Sequence, residues 1–116
     1  MNWFYVFIGG GLGSLLRYSI SLYFARFALQ FPVATFISNL FATSLVAVFT
    51  FLVLKKVDAS WIQPLVIIGF CGGFSTFSTF SLETVNLFQS GNFSLAFLNV
   101  VLSILICLGI VLIMNK

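Results

Sequence analysis

Four long apolar runs, separated by short polar or turn-forming segments, make up almost the whole chain. The runs cover roughly residues 3–27, 33–54, 61–88 and 93–114. Because a bilayer core about 30 Å thick needs about 20 apolar residues per helix, each run is long enough to cross a membrane as an α-helix. The pattern predicts an all-α membrane protein with four transmembrane helices in a single domain, residues 1–116.

The segments between the runs are typical of turns. Gln30, Phe31 and Pro32 separate the first two runs, and the polar segment 89–92 separates the last two. The second run is expected to end at the four residues Lys55, Lys56, Val57 and Asp58.

Composition supports a membrane location and excludes several classes of function. The chain is 61% hydrophobic and only 6% charged, whereas soluble domains carry about 25% charged residues. Cys71 and Cys107 lie inside apolar runs and predict no disulfide framework. Without histidine, a zinc site is not expected. The net charge of +3 is too small and scattered for nucleic acid.

The charges near the ends of the runs set only a small preference for orientation. Four spans place both termini on one side, together with Lys55, Lys56 and Lys116, which Asp58 partly offsets. The other side has Arg26, and also Arg17 if that residue snorkels. The positive-inside rule then slightly favours cytoplasmic termini. So small a bias permits insertion in both orientations. A bundle of four helices also packs its own centre, so a transport function implies an oligomer, most simply a dimer.

The stretch GFCGGFSTFSTFS, residues 69–81, interrupts the third run. Two interpretations of Gly69, Gly72 and Gly73 stay open. Small residues permit close helix packing, or the helix breaks here, which membranes tolerate where protein or a cavity covers the backbone. Ser75 and Thr76 are good N-cap residues for a second half-helix.

A track of hydroxyl and phenyl groups follows these glycines. Phe77 and Phe80 are three residues apart and should be neighbours on a helix. Six hydroxyl residues lie within ten positions: Ser75, Thr76, Ser78, Thr79, Ser81 and Thr84. Any one of them is more often bonded to its own i−4 carbonyl. Together with the positive edges of phenyl rings, they suit the weak, multi-site holding that conduction needs, and they predict an anion pathway.

Three polar residues elsewhere in the spans have alternative interpretations. Asn39 either bonds a neighbouring helix or donates along the pathway. Arg17, whose burial costs about 2.5–3.5 kcal/mol, either forms an electropositive vestibule, snorkels, or pairs with Glu83. Gly9 and Gly13 are interpreted as a helix contact and not as a phosphate loop. No base–nucleophile pair stands out, so an enzyme is not expected.

With these residues assembled, the chain resembles the Fluc/CrcB fluoride channel family over essentially its whole length. The resemblance rests on GGGLGSLLRY at residues 9–18, on SNL at 38–40, and on the long stretch 69–81 followed by Glu83.

The resemblance implies an antiparallel, dual-topology homodimer in the prokaryotic plasma membrane. Two fluoride pathways would run along the subunit interface, and a central structural sodium ion would bind the backbone carbonyls of Gly72 and Ser75. Export of cytoplasmic fluoride would give fluoride resistance. By motif position, the implied pathway residues are Arg17, Asn39, Phe77, Ser78, Thr79 and Phe80.

Two other functions are alternatives to a fluoride channel. A small multidrug-type, proton-coupled exporter has a similar size and architecture, but it needs a carboxylate in the first span, where this chain has Arg17. A non-transporting structural protein would leave the hydroxyl–phenyl track without a purpose.

Overall fold

The computed structural model describes residues 2–53, 55–56 and 60–115, and every regular element within them is a helix. Helices suit a bilayer because they satisfy all backbone polar groups internally. The elements are α1 (Asn2–Ala25), α2 (Val33–Val48, extended by Phe49–Val53), α3 (Gln63–Cys71 followed by Gly72–Phe74), α4 (Phe77–Gln89) and α5 (Phe93–Met114). The extension of α2 is π-helical, and α3 is mostly π-helical before a closing α-helical turn.

The predicted spans correspond to these helices with small shifts at their ends. Within the described residues, Val33–Val53, Gln63–Gln89 and Phe93–Met114 are long and apolar enough to cross a membrane. α1 has 24 residues, about 36 Å at 1.5 Å per residue, but its glycines, serines and Arg17 make it less apolar. Four spans therefore fit the fold. The predicted turn residues Val57 and Asp58 lie outside the described residues.

Glycines bring the backbones of α1 and α3 into direct contact. A Cβ atom at Gly9 would lie 2.8 Å from the amide nitrogen of Phe70, and one at Gly13 would lie 2.9 Å from that of Phe74. Real Cβ atoms are not found so close to backbone atoms. The predicted helix contact of Gly9 and Gly13 is confirmed, and it fixes α3 alongside α1.

The three glycines of the third span have different surroundings. Gly69 and Gly73 face α1, where an added Cβ atom would lie 2.9 Å from the Val6 carbonyl and 3.1 Å from the Gly10 Cα, respectively. Gly72 faces open space, with no atom within 4 Å of an added Cβ. Close packing therefore explains two of the three glycines.

Candidate functional site

The third span is broken at Ser75 and Thr76. Both residues are extended, with φ/ψ of −87°/158° and −154°/123°. The hydroxyl of Thr76 accepts a hydrogen bond of 3.2 Å from the amide of Thr79 and so caps α4. The predicted broken helix and the N-cap role of Thr76 are confirmed. The break lies after the glycines and not among them, because Gly72 keeps helical dihedrals of −63°/−36°.

Asn39 holds the broken backbone from the neighbouring helix α2. Its Oδ1 accepts from the amide of Thr76 at 2.8 Å, and its Nδ2 donates to the carbonyl of Thr76 at 3.2 Å. A backbone unit that has left the helical pattern at membrane depth needs such partners. Of the two interpretations left open, the structure shows Asn39 bonded to a neighbouring helix.

The side chain of Arg17, on α1, reaches the C-terminal end of α3. Its Nε donates to the carbonyl of Gly73 at 3.0 Å, a carbonyl that has no helical partner because α3 ends there. A cation is also favoured at the negative end of a helix dipole. The pair of Arg17 with Glu83 is not formed among the described residues of one copy, where the buried Oε1 of Glu83 has no hydrogen-bond partner. Glu83 borders instead two cavities of about 260 and 390 Å³ beside the α1–α2 loop.

Two further carbonyls are released at the break. In an unbroken helix the amides of Thr76 and Thr79 would bond the carbonyls of Gly72 and Ser75. These amides bond the side chains of Asn39 and Thr76 instead. The carbonyls of Gly72 and Ser75, predicted to hold sodium, are therefore free of their helical partners.

A cavity of about 340 Å³ opens beside the break. Of the predicted pathway residues, Asn39, Phe77 and Phe80 line it, whereas Arg17, Ser78 and Thr79 lie outside its lining. The full lining is Asn39, Thr43, Ser75, Thr76, Phe77, Phe80, Ser103, Ile104, Cys107 and Leu108.

Phe77 and Phe80, the two phenylalanines of the predicted pathway, are neighbours whose side chains are exposed to different degrees. Their ring centroids are 5.7 Å apart and the rings are inclined at 38°. Phe80 is 9% exposed, whereas Phe77 is 78% exposed on the single copy of the chain. Phe80 thus belongs to the protein interior, and Phe77 projects from it next to the cavity.

The polar face of α5 was not predicted from the sequence. Asn99 donates from Nδ2 to the Thr84 hydroxyl at 2.9 Å, and its Oδ1 accepts from the Ser103 hydroxyl at 3.4 Å. Ser103 and Cys107 then line the cavity. The signal was present in the fourth run, because positions 99, 103 and 107 are four residues apart and share one face of a helix.

The cavity can therefore offer polar contacts without a charged side chain in its lining. Its wall contains the hydroxyl residues Thr43, Ser75, Thr76 and Ser103, the amide of Asn39 and two phenyl rings. Uncharged donors and ring edges attract an anion without binding it as tightly as a full positive charge. Fold and site together define a small, multi-pass helical membrane protein with a mainly apolar cavity that carries a few polar groups at a broken helix.

The chain belongs to the CrcB family. Residues 4–114 match the family described as "CrcB-like protein, Camphor Resistance (CrcB)". The chain is 38% identical over 113 residues to the "Fluoride-specific ion channel FluC" of Coxiella burnetii (strain CbuK_Q154), a match that covers 94% of this chain and 90% of that one.

Proteins of the same name from two other bacteria are also similar. The one from Azobacteroides pseudotrichonymphae genomovar. CFP2 is 42% identical, with 88% of this chain and 83% of the relative covered. The one from Serratia proteamaculans (strain 568) is 43% identical, with 85% and 79% covered. The family is thus one of ion channels and not of enzymes, and the chain is a multi-pass protein of the bacterial cell membrane.

Proposed function

We propose that the protein is a fluoride-selective passive channel that exports cytoplasmic fluoride and so gives fluoride resistance. The observation that carries the proposal is the cavity at the broken helix, whose wall combines Asn39, Phe77 and Phe80 with uncharged hydroxyl groups. The choice of fluoride among anions rests on the relatives, which are named fluoride-specific ion channels.

The pathway residues hold the ion weakly and at several points. Phe77 and Phe80 line the cavity, and the positive edge of a phenyl ring can contact a small anion. The hydroxyls of Ser78 and Thr79 continue the polar track along α4, beyond the cavity. Arg17, bonded to the Gly73 carbonyl, adds a positive potential that draws anions toward the break. Asn39 keeps the break open by holding the backbone of Thr76.

Two antiparallel copies complete the pathways. Phe77 and Ser78 are both exposed on the single copy, at the middle of the third span. Polar groups and irregular backbone at that depth need cover from protein or a cavity. A second copy packed against this face supplies the cover, and it encloses two pathways along the interface. The near-even charge at the two ends of the bundle permits the antiparallel arrangement.

A structural sodium ion fits the released carbonyls. Unwound backbone carbonyls are ligands for sodium in membrane proteins, and those of Gly72 and Ser75 have lost their helical partners. Gly72 has no neighbour within 4 Å of an added Cβ, so another copy can approach it closely. Two carbonyls from each copy give a ligand set built only of oxygen, which a hard cation prefers.

Anion efflux from liposomes that contain the purified protein tests the proposal. We expect rapid release of fluoride without release of chloride, and loss of fluoride release in Phe77→Ile and Phe80→Ile. Phe7→Ile is the matched control, because Phe7 on α1 is 76% exposed and Phe77 is 78% exposed. Proton-driven exchange of organic cations with no anion flux would instead support the exporter alternative. Equal loss of flux in the Phe7 variant would argue against a pathway at Phe77.

A further inference from the structure

A series of hydrogen bonds connects α4 with α5 next to the cavity. The Thr84 hydroxyl donates to the carbonyl of Phe80 at 2.8 Å. Asn99 donates to that hydroxyl at 2.9 Å and accepts from Ser103 at 3.4 Å. Phe80 and Ser103, the residues at the two ends of this series of hydrogen bonds, line the cavity. Asn99 itself is 1% exposed and does not line it.

The Phe80 carbonyl determines which group donates and which accepts in each of these hydrogen bonds. The Phe80 carbonyl only accepts, so the single proton of the Thr84 hydroxyl is used there. Thr84 must then accept from Asn99, and only the Nδ2 group of the amide donates. The Oδ1 atom consequently faces Ser103 and takes the proton of its hydroxyl.

We propose that Asn99 is a positioning residue: it directs the hydroxyl proton of Ser103 toward its own Oδ1 and away from the cavity. The inference rests on the proposed channel function and assigns Asn99 a part in it. With its proton directed to Asn99, Ser103 presents its lone pairs to the cavity. An anion in the cavity gains the Ser103 donor only when the bond to Asn99 breaks.

The geometry makes this exchange easy. Hydroxyl–oxygen hydrogen bonds are typically 2.5–3.0 Å long, so the Ser103–Asn99 bond of 3.4 Å is weak. Asn99 therefore competes with the anion for one donor without removing that donor altogether. Competition of this kind lowers the affinity of the cavity, and conduction needs sites from which the ion can leave.

The test is a double-mutant cycle on fluoride flux measured as a function of fluoride concentration. Asn99→Leu removes the competing acceptor at similar size. We expect it to lower the half-saturating fluoride concentration by about two- to tenfold, the range that one hydrogen bond produces. In the Ser103→Ala background the same change should produce no further shift, because Asn99 acts through Ser103. Ser44→Ala is the control, since Ser44 bonds the Leu40 carbonyl on α2 and lies outside the cavity lining.

Thr84→Val provides a second route to the same result. It removes the acceptor for Asn99 Nδ2, so the amide is free to turn and donate to Ser103, whose proton then faces the cavity. We expect a shift in the same direction as for Asn99→Leu, in protein that elutes from size exclusion like the wild type. This variant decides the question if Asn99→Leu does not assemble.

The outcomes separate this inference from the proposed function. Wild-type liposomes that release no fluoride would reject the channel and the inference with it. Wild-type flux combined with a shift that persists in the Ser103→Ala background, or with no shift in an assembled Thr84→Val variant, would overturn the inference alone.

Discussion

The side-chain amide of Asn39 on α2 bonds both backbone polar groups of Thr76, at 2.8 Å to the amide and 3.2 Å to the carbonyl. The Asn39 side chain thus replaces the hydrogen bond that the break removes from the Thr76 amide. It also adds a second bond to the Thr76 carbonyl, which begins α4 as the N-cap carbonyl. The pairing needs a donor and an acceptor next to each other on one side chain. The carboxamide of Asn39 provides both.

Replacing Asn39 by leucine should both destabilise the fold and stop flux. The change leaves the Thr76 amide without a partner, at a cost of about 1–3 kcal/mol. It also removes one bond from the Thr76 carbonyl, which as the N-cap carbonyl still accepts the first hydrogen bond of α4. Thermal unfolding in detergent and fluoride efflux from liposomes measure the two effects. Asn86→Leu is the matched control, because Asn86 is exposed on the last turns of α4. An Asn39→Leu variant with wild-type stability would show that the break does not depend on this pairing.

Arg17 should act both through its charge and through its directed bond to Gly73. Arg17→Lys keeps the charge but not the planar guanidinium that donates from Nε at 3.0 Å. We expect Arg17→Lys to retain part of the fluoride flux, and Arg17→Leu to lose both the flux and about 1.5–3 kcal/mol of stability, the range for a hydrogen bond to a charged group. Efflux at low and high ionic strength separates the two roles, since added salt screens the attraction of anions. Equal flux in the lysine and leucine variants would contradict a role for the charge.

Local patterns were sufficient to predict the helices and part of the site. The four apolar runs, the Thr76 cap and the Phe77–Phe80 pair all depend on residues within a few positions of one another, where spacing determines contact. The partners of Asn39 and Arg17 were beyond this reach, because they lie 37 and 56 residues away. The position of the break was equally hidden, since glycines can serve either packing or flexibility and only the contact with α1 distinguishes the two.

The contact between α1 and α3 should be intolerant of a single added methyl group. A Cβ at Gly13 would collide with the Phe70 carbonyl and lie 2.9 Å from the Phe74 amide, both of them backbone atoms. We expect Gly13→Ala to cost at least about 1–3 kcal/mol, the range for overpacking.

Gly109 provides the matched control for this change. It lies within α5 with nothing within 4 Å of an added Cβ, and alanine is favoured over glycine in helices by about 1 kcal/mol. Gly109→Ala should therefore be neutral or slightly stabilising. Melting temperatures in one detergent measure both variants, and a Gly13→Ala protein as stable as the wild type would contradict the close approach of α1 and α3.

Removal of sodium should reduce fluoride flux if the released carbonyls bind that ion. We expect flux to fall by at least about tenfold, equivalent to 1.4 kcal/mol, when sodium is replaced by a large organic cation on both sides of the liposome membrane. Gly72→Ala should raise the sodium concentration needed for half-maximal flux, because its methyl group enters the space through which the second copy approaches. Gly11→Ala is the control, since Gly11 also has nothing within 4 Å of an added Cβ but lies on α1. Undiminished flux without sodium would reject the proposed ion site and leave the anion pathway to be judged by its own test.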